Sequence, residues 1–222
     1  MNLYEKHLMK GSMKYKNERK EVARFMRRLY RHGLTTTSGG NISRRINDKL
    51  IAITPSATDK GSMKWEEVGI MSVSGENLTP GLKPSIEHAL HINVYNNNSN
   101  INAIVHAHPV FATAFTAMKT PINTSLTAEA RAICGEPKMV PYALMGTEEL
   151  AGIVAQYSRE SDVMLLENHG IITTGSNLLQ AFDKLEVLEN AAMMTLIVEI
   201  SVKTSQLRSE EHTSELQSHQ SI

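Results

Sequence analysis

The chain is poor in several things, and each shortage excludes a class. Cysteine occurs once in 222 residues, at Cys134. An intramolecular disulfide framework is therefore excluded, and a reducing compartment is expected. No apolar run approaches the ~18 residues of a membrane span, and the N-terminal MNLYEKHLMKGSMKYKNERK has no apolar signal core. A cytoplasmic protein without membrane partners is the expectation. There is no net charge either: 23 basic residues face 23 acidic ones. At 41% hydrophobic and 21% charged, the chain can bury a core without disulfides or a structural metal.

The neutrality hides an asymmetry. Residues 1–45 carry 12 Lys and Arg against 3 acids, a balance of +9. Much of it lies in RKEVARFMRRLYRHG, where Val22, Phe25, Met26 and Leu29 fall near helical spacing and Arg24, Arg27, Arg28 and Arg31 fill the other positions. The two aromatics of the stretch, Phe25 on the apolar positions and Tyr30, do not form the series of stacking rings among the basics that nucleic-acid binding would require. The stretch reads as an amphipathic helix with long basic stems lying over the core, and no nucleic-acid partner is expected. Met1, Met9 and Met13 are alternative starts. At the other end, residues 208–219 read RSEEHTSELQSH, a string that resembles the in-frame translation of a common short-read sequencing adapter. One domain over residues 1–207 and a non-native tail over 208–222 are therefore expected. Without the tail the formal charge is +2, with −7 in residues 46–207.

Between these ends, strand and helix patterns alternate without a linker or a repeat. LIAITPS and INAIVHAHP read as strands closed by Pro55 and Pro109, and VMLLENHGIITTG as two strands around a turn. KPSIEHALHINVYNNN reads as a helix opening at Pro84-Ser85, which puts Glu87 one turn in. GTEELAGIVAQYS reads as a helix opening at Thr147, and a long helix follows from Ser176. One α/β domain is the economical reading.

Chemistry concentrates in the histidines. His106 and His108 sit two apart on an apolar strand, hence on one face and about 6.5–7 Å apart. Two imidazoles so placed can converge on one metal ion. His169, in an Asn-His-Gly turn between apolar runs, is a natural third ligand. Three imidazoles with an open position form a catalytic rather than a structural site. Glu87 is the best carboxylate for a fourth ligand or a base. His91, one turn on, is a packing or supporting residue. The small hydroxyls and backbone N–H groups of residues 36–43 and 54–57, with Ser85 at a helix start, suit an anion.

The ordered set SGGNIS, ITPS, KPSIE, AIVHAHP and LLENHGIITTG resembles the class II aldolase/adducin family over about residues 18–204. That resemblance implies a three-layer α/β/α domain with a largely antiparallel central sheet, and a homotetramer with active sites between subunits. It implies His106, His108 and His169 as metal ligands, with Zn2+ favoured over Mn2+, Co2+ or Fe2+. Glu87 would be the catalytic acid/base and a metal ligand when substrate is absent, and Asn41, Ser56 and Ser85 would bind the substrate phosphate. The reaction implied is reversible retro-aldol cleavage of a small ketose phosphate through a metal-stabilised enediolate. A sugar-phosphate 4-epimerase, or a dehydratase or decarboxylase of the same family, is the alternative. The non-enzymatic adducin branch lacks the metal histidines, and all three are present here.

Three positions depart from the aldolase pattern. Ile86 replaces a second serine, Ala57 replaces a glycine, and Thr127 stands where fuculose-type enzymes carry a catalytic tyrosine. The proton donor used there would come from elsewhere, with Glu129 or water as the candidates.

Overall fold

The computed structural model describes the backbone of residues 14–219, with side chains as far as Gln206. The alternative starts Met1, Met9 and Met13 and the last three residues of the tail lie outside the described residues. The chain folds as α1 (Lys16–Arg31), β1 (Asn41–Asn47), β2 (Leu50–Ile53), β3 (Gly69–Ser72), α2 (His88–Asn97), β4 (Ala103–Ala107), α3 (Val110–Met118), α4 (Ala128–Cys134), β5 (Lys138–Val140), α5 (Glu148–Tyr157), β6 (Val163–Leu166), β7 (Gly170–Gly175) and α6 (Leu178–His219). Short 3-10 turns occur at Trp65–Glu67 and Thr124–Leu126.

The seven strands form one sheet in the order β3-β2-β1-β4-β7-β6-β5. Every pairing is antiparallel except β5 with β6. Each face of the sheet carries its own core. On one, Ala52, Val105, Val163, Leu165 and Ile171 pack under α1, α3, α4 and α6. On the other, Ile51, Ile53, Ile104, Met164 and Ile172 pack under α2 and α5. This is the three-layer α/β/α arrangement with a mostly antiparallel sheet. β4 lies at its centre and is buried throughout, as a strand covered on both faces must be.

Local chemistry sets the helix ends. Thr147 caps α5, its side chain accepting from Leu150 N–H, and Thr127 caps α4 in the same way through Ala130 N–H. Gly33, at φ +68, carries the left-handed turn that stops α1. Val22, Phe25, Met26 and Leu29 form the buried stripe of α1. Its arginines are used structurally: Arg19 donates to the carbonyls of Val68 and Glu66 at 2.9 and 2.8 Å, and Arg28 pairs with Glu186 at 3.1 Å. Burial pushes the Cys134 thiol up to about 12, which keeps it unreactive at neutral pH. No helix among the described residues is long and apolar enough to cross a membrane.

Strand parity then aims the site. Ile104 faces α2 and α5, so His106, two residues on, faces the same way. In the register of β1 with β4, Asn41 lies opposite His106 and Ser43 opposite Ile104. Asn41 and Ser43 therefore also face α2. His108 lies just past the end of β4 and His169 just before β7, at the same end of the sheet.

Candidate metal and catalytic site

His106, His108 and His169 each present a ring nitrogen, and these atoms lie within 4.8 Å of one another. His106 is the hub, with ring centroids 4.8 Å from each of the other two. Its Nδ1–H donates to Ile171 O at 2.9 Å. That fixes the tautomer and leaves the Nε2 lone pair facing His108 Nε2 at 3.2 Å. Burial, with His106 and His169 alongside, pushes His108 down to about 3, and burial with His106 alongside pushes His169 down to about 4. Both are neutral at pH 7, the state a metal ion requires.

Glu87 closes the group. It is 4% exposed; Oε2 lies 3.3 Å from His106 Nε2 and Oε1 lies 3.3 Å from His169 Nε2. Burial raises its pKa, but His106, His169 and the Asn41 amide outweigh this and hold the carboxyl below its usual range. Glu87 Oε1 and both ring nitrogens of His169 are buried without a hydrogen-bond partner. An orphaned buried polar atom costs about 1–3 kcal/mol, and Glu87 Oε1 and His169 Nε2, which face each other, would be satisfied together by a cation. Three imidazoles and a carboxylate fit a divalent transition metal.

Behind Glu87 runs a buried chain of hydrogen bonds. Asn41 Nδ2 donates to Glu87 Oε2 at 2.7 Å. The Asn41 carbonyl faces His91 Nε2 in a short hydrogen bond, and His91 Nδ1 faces Ser43 Oγ at 2.6 Å. Ser43 Oγ in turn meets Tyr95 OH at 2.8 Å. Burial, then the neighbouring His106, pushes His91 down to about 3, so it is neutral with one N–H. A carbonyl only accepts, so that N–H sits on Nε2 and Nδ1 accepts from Ser43. The chain then runs one way: Tyr95 to Ser43 to His91, and His91 to Asn41 to Glu87. Sequence spacing singled out His91 as a support but gave no signal for Ser43 or Tyr95, which reach it only through the sheet register.

The structure corrects one expectation. Glu87 is the residue capping α2, at φ −98 and ψ 17, and Ser85 lies two residues outside the helix. Pro84 bridges Pro55, and the Ser85 hydroxyl accepts from Glu87 N–H at 3.2 Å. The turn they build delays the helix to His88 and points Glu87 at the histidines. Ser56 joins the same corner, its N–H donating to Lys83 O at 3.0 Å. Asn41 and Ser85 are thus each tied to Glu87, and Ser56 to the segment just ahead of Ser85. Ala57 sits at φ +52, a conformation that costs a non-glycine residue roughly 1 kcal/mol. Ile86 is exposed beside Gly146. Thr127 is spent on its helix cap, and Glu129 is exposed in the first turn of that helix.

Gly170 matters for space rather than for conformation. A Cβ there would collide with His108 Cδ2 and lie 2.8 Å from Ala107 O. Gly170→Ala is expected to push His108 aside and weaken metal affinity by about 10–100-fold, the range seen when a ligand's support is disturbed. Chelator competition measures this. Gly152→Ala, in α5 with nothing within 4 Å of the added carbon, is the control and should bind metal like the parent.

Residues 20–196 match the family model described as Class II Aldolase and Adducin N-terminal domain. The chain is 35% identical over 179 residues to L-fuculose phosphate aldolase of Methanococcus vannielii, covering 81% of this chain and 96% of that protein. It is 32% identical to 3-oxo-tetronate 4-phosphate decarboxylase of Haemophilus influenzae, over 76% of this chain and 81% of that one. Among solved structures, an L-fuculose 1-phosphate aldolase superposes with a TM-score of 0.77 at 30% identity, covering 82% of this chain and 86% of the other.

Proposed function

Since the chain belongs to the class II aldolase and adducin family, we propose that it is a divalent-metal-dependent aldolase that reversibly cleaves a small ketose phosphate of the fuculose-phosphate type. The observation that carries this reading is the convergence of three imidazoles with the unpartnered Oε1 of Glu87. His106, His108 and His169 would hold the ion, with Glu87 as a further ligand when substrate is absent. Zinc suits the donor set best, and manganese, cobalt or iron are the other candidates. When bound, such an ion supplies Lewis acidity toward the oxygens of the substrate.

The remaining work falls to the chain. Ser56, Ser85 and Asn41 hold the phosphate end on the corner built by the Pro55–Pro84 bridge. Glu87, fixed by the Asn41 amide, moves the proton at the carbon beside the carbonyl as the carbon–carbon bond breaks or forms. The exposed Ile86, Tyr142, Leu144 and Met145 give an apolar face by which a neighbouring copy would close the site, in keeping with a homotetramer. A cytoplasmic location agrees with the single buried thiol.

A second reading, decarboxylation of a phosphorylated 3-oxo acid, is favoured by the similarity to the Haemophilus enzyme and by Thr127, which puts a helix cap where fuculose-type enzymes carry a tyrosine. Product identification on the metal-loaded protein separates them. An aldolase yields two carbonyl fragments from a ketose phosphate, a decarboxylase yields carbon dioxide from the oxo acid, and an epimerase returns an isomer. Turnover of none of these substrate classes by the metal-loaded protein overturns the proposal.

A further inference from the structure

A buried ammonium lies under the loops assigned to the phosphate. Lys60 is 1% exposed and is among the largest fully buried side chains of the described residues. Its Nζ donates to Pro55 O at 2.7 Å, and among the described residues it makes no salt bridge. An ammonium carries three donors, and a buried cation without a counter-ion is costly. Where it sits gives a reason to keep it. Lys60 N–H donates to Thr37 O at 2.9 Å, Ser56 N–H donates to Lys83 O, and Pro55 bridges Pro84. The segments around residues 37, 55–60 and 83–84 are thus tied together at Lys60. Two buried hydroxyls in the same loops, of Thr35 and Thr58, have no hydrogen-bond partner.

We infer that Lys60 is a positioning residue whose buried charge, held behind these loops, sets the affinity of this corner for a doubly charged anionic group at a distance rather than by contact. This rests on the proposed reading of the loops as the phosphate end. A single positive charge in a water-poor environment acts over several ångströms with little screening. Burial pushes Lys60 down to about 8, against a weaker opposing effect of Glu67. The charge is therefore present at pH 7 and lost as pH rises through 8, and anion affinity should fall with it. Conversely, an arriving anion favours the protonated form, so binding near pH 8 takes up a proton.

The charged and titratable neighbours are few. Glu67 comes from the Trp65–Glu67 turn, and Asp59 turns its carboxylate to Gly61 N–H and the Ser62 hydroxyl. Tyr30 of α1 packs on Gly61. The Ser62 hydroxyl and the Gly61 N–H hold the Asp59 carboxyl below its usual range.

The test uses the metal-loaded protein and inorganic sulfate, which stays divalent across the range. In calorimetry the parent should bind sulfate about tenfold more weakly at pH 9 than at pH 7, as loss of one nearby charge implies. Binding heat at pH 8 should vary with the ionisation heat of the buffer, which reports proton uptake. Lys60→Met should bind weakly at both pH values without proton uptake, and Lys60→Arg tightly at both without uptake. Should Lys60→Met fail to fold, the parent and Lys60→Arg profiles decide. Sulfate binding that is independent of pH in the parent, or a Lys60→Met protein with the parent profile, overturns the role of Lys60 and leaves the anion loops standing. No sulfate binding by the parent overturns both.

Discussion

His106→Ala is expected to lose metal and activity together. Stoichiometry should fall from about one ion per chain to near none, and kcat/KM by about 10³-fold or more, since several kcal/mol of charge stabilisation are lost and each 1.36 kcal/mol is tenfold. His106 is the residue to choose because it holds the cluster together. It is fully buried, its ring lies 4.8 Å from both partners while these are 5.6 Å apart, and its tautomer is fixed by Ile171 O. Without it, two imidazoles and a carboxylate remain around a hole in the central strand. Metal analysis and circular dichroism on the same preparation separate loss of the ion from loss of the fold. A folded His106→Ala protein with stoichiometric metal and parental turnover would show that the ligands lie elsewhere.

The histidines were legible in the sequence because their chemistry is local. His-Ala-His on a strand needs only the alternation of side chains, and Asn-His-Gly between apolar runs needs only a turn; Asn168 indeed takes φ +55 ahead of His169. Glu87 was legible as a residue but not as a position. Pro84-Ser85 has helix-start chemistry, and only the bridge to Pro55, a contact across 29 positions of sequence, delays the helix by a turn. Residue patterns alone also left the direction of the strands open, because crossovers of these lengths serve either. Ser43 and Tyr95 join the Glu87 network through the register of β1 with β4 and the docking of α2, neither of which leaves a mark in a window of ten residues. Lys60 carries no signal in the sequence, because its burial is a property of segments that meet only when folded.

Glu87→Gln should behave in the opposite sense from the ligand variant, with metal retained and turnover lost. The three imidazoles proposed to hold the ion are untouched. Glutamine has the same length, and its carbonyl can accept from Asn41 Nδ2 as Glu87 Oε2 does at 2.7 Å, so the chain from Tyr95 through Ser43, His91 and Asn41 survives. What changes is the second oxygen. Glu87 Oε1, with no hydrogen bond and facing His169 Nε2 at 3.3 Å, becomes an amide that can neither take up nor release a proton at neutral pH. A general acid–base group contributes about 10²–10⁴-fold, and kcat should fall in that range while KM stays within a few-fold. The same one-way chain gives a graded comparison. Asn41→Asp replaces the donor facing Oε2 with a second carboxylate, which should raise the Glu87 pKa by like-charge repulsion. The acid limb of the kcat/KM profile should then move to higher pH, whereas Glu87→Gln should abolish that limb. Full activity in Glu87→Gln would remove Glu87 from the chemistry and leave it a ligand only.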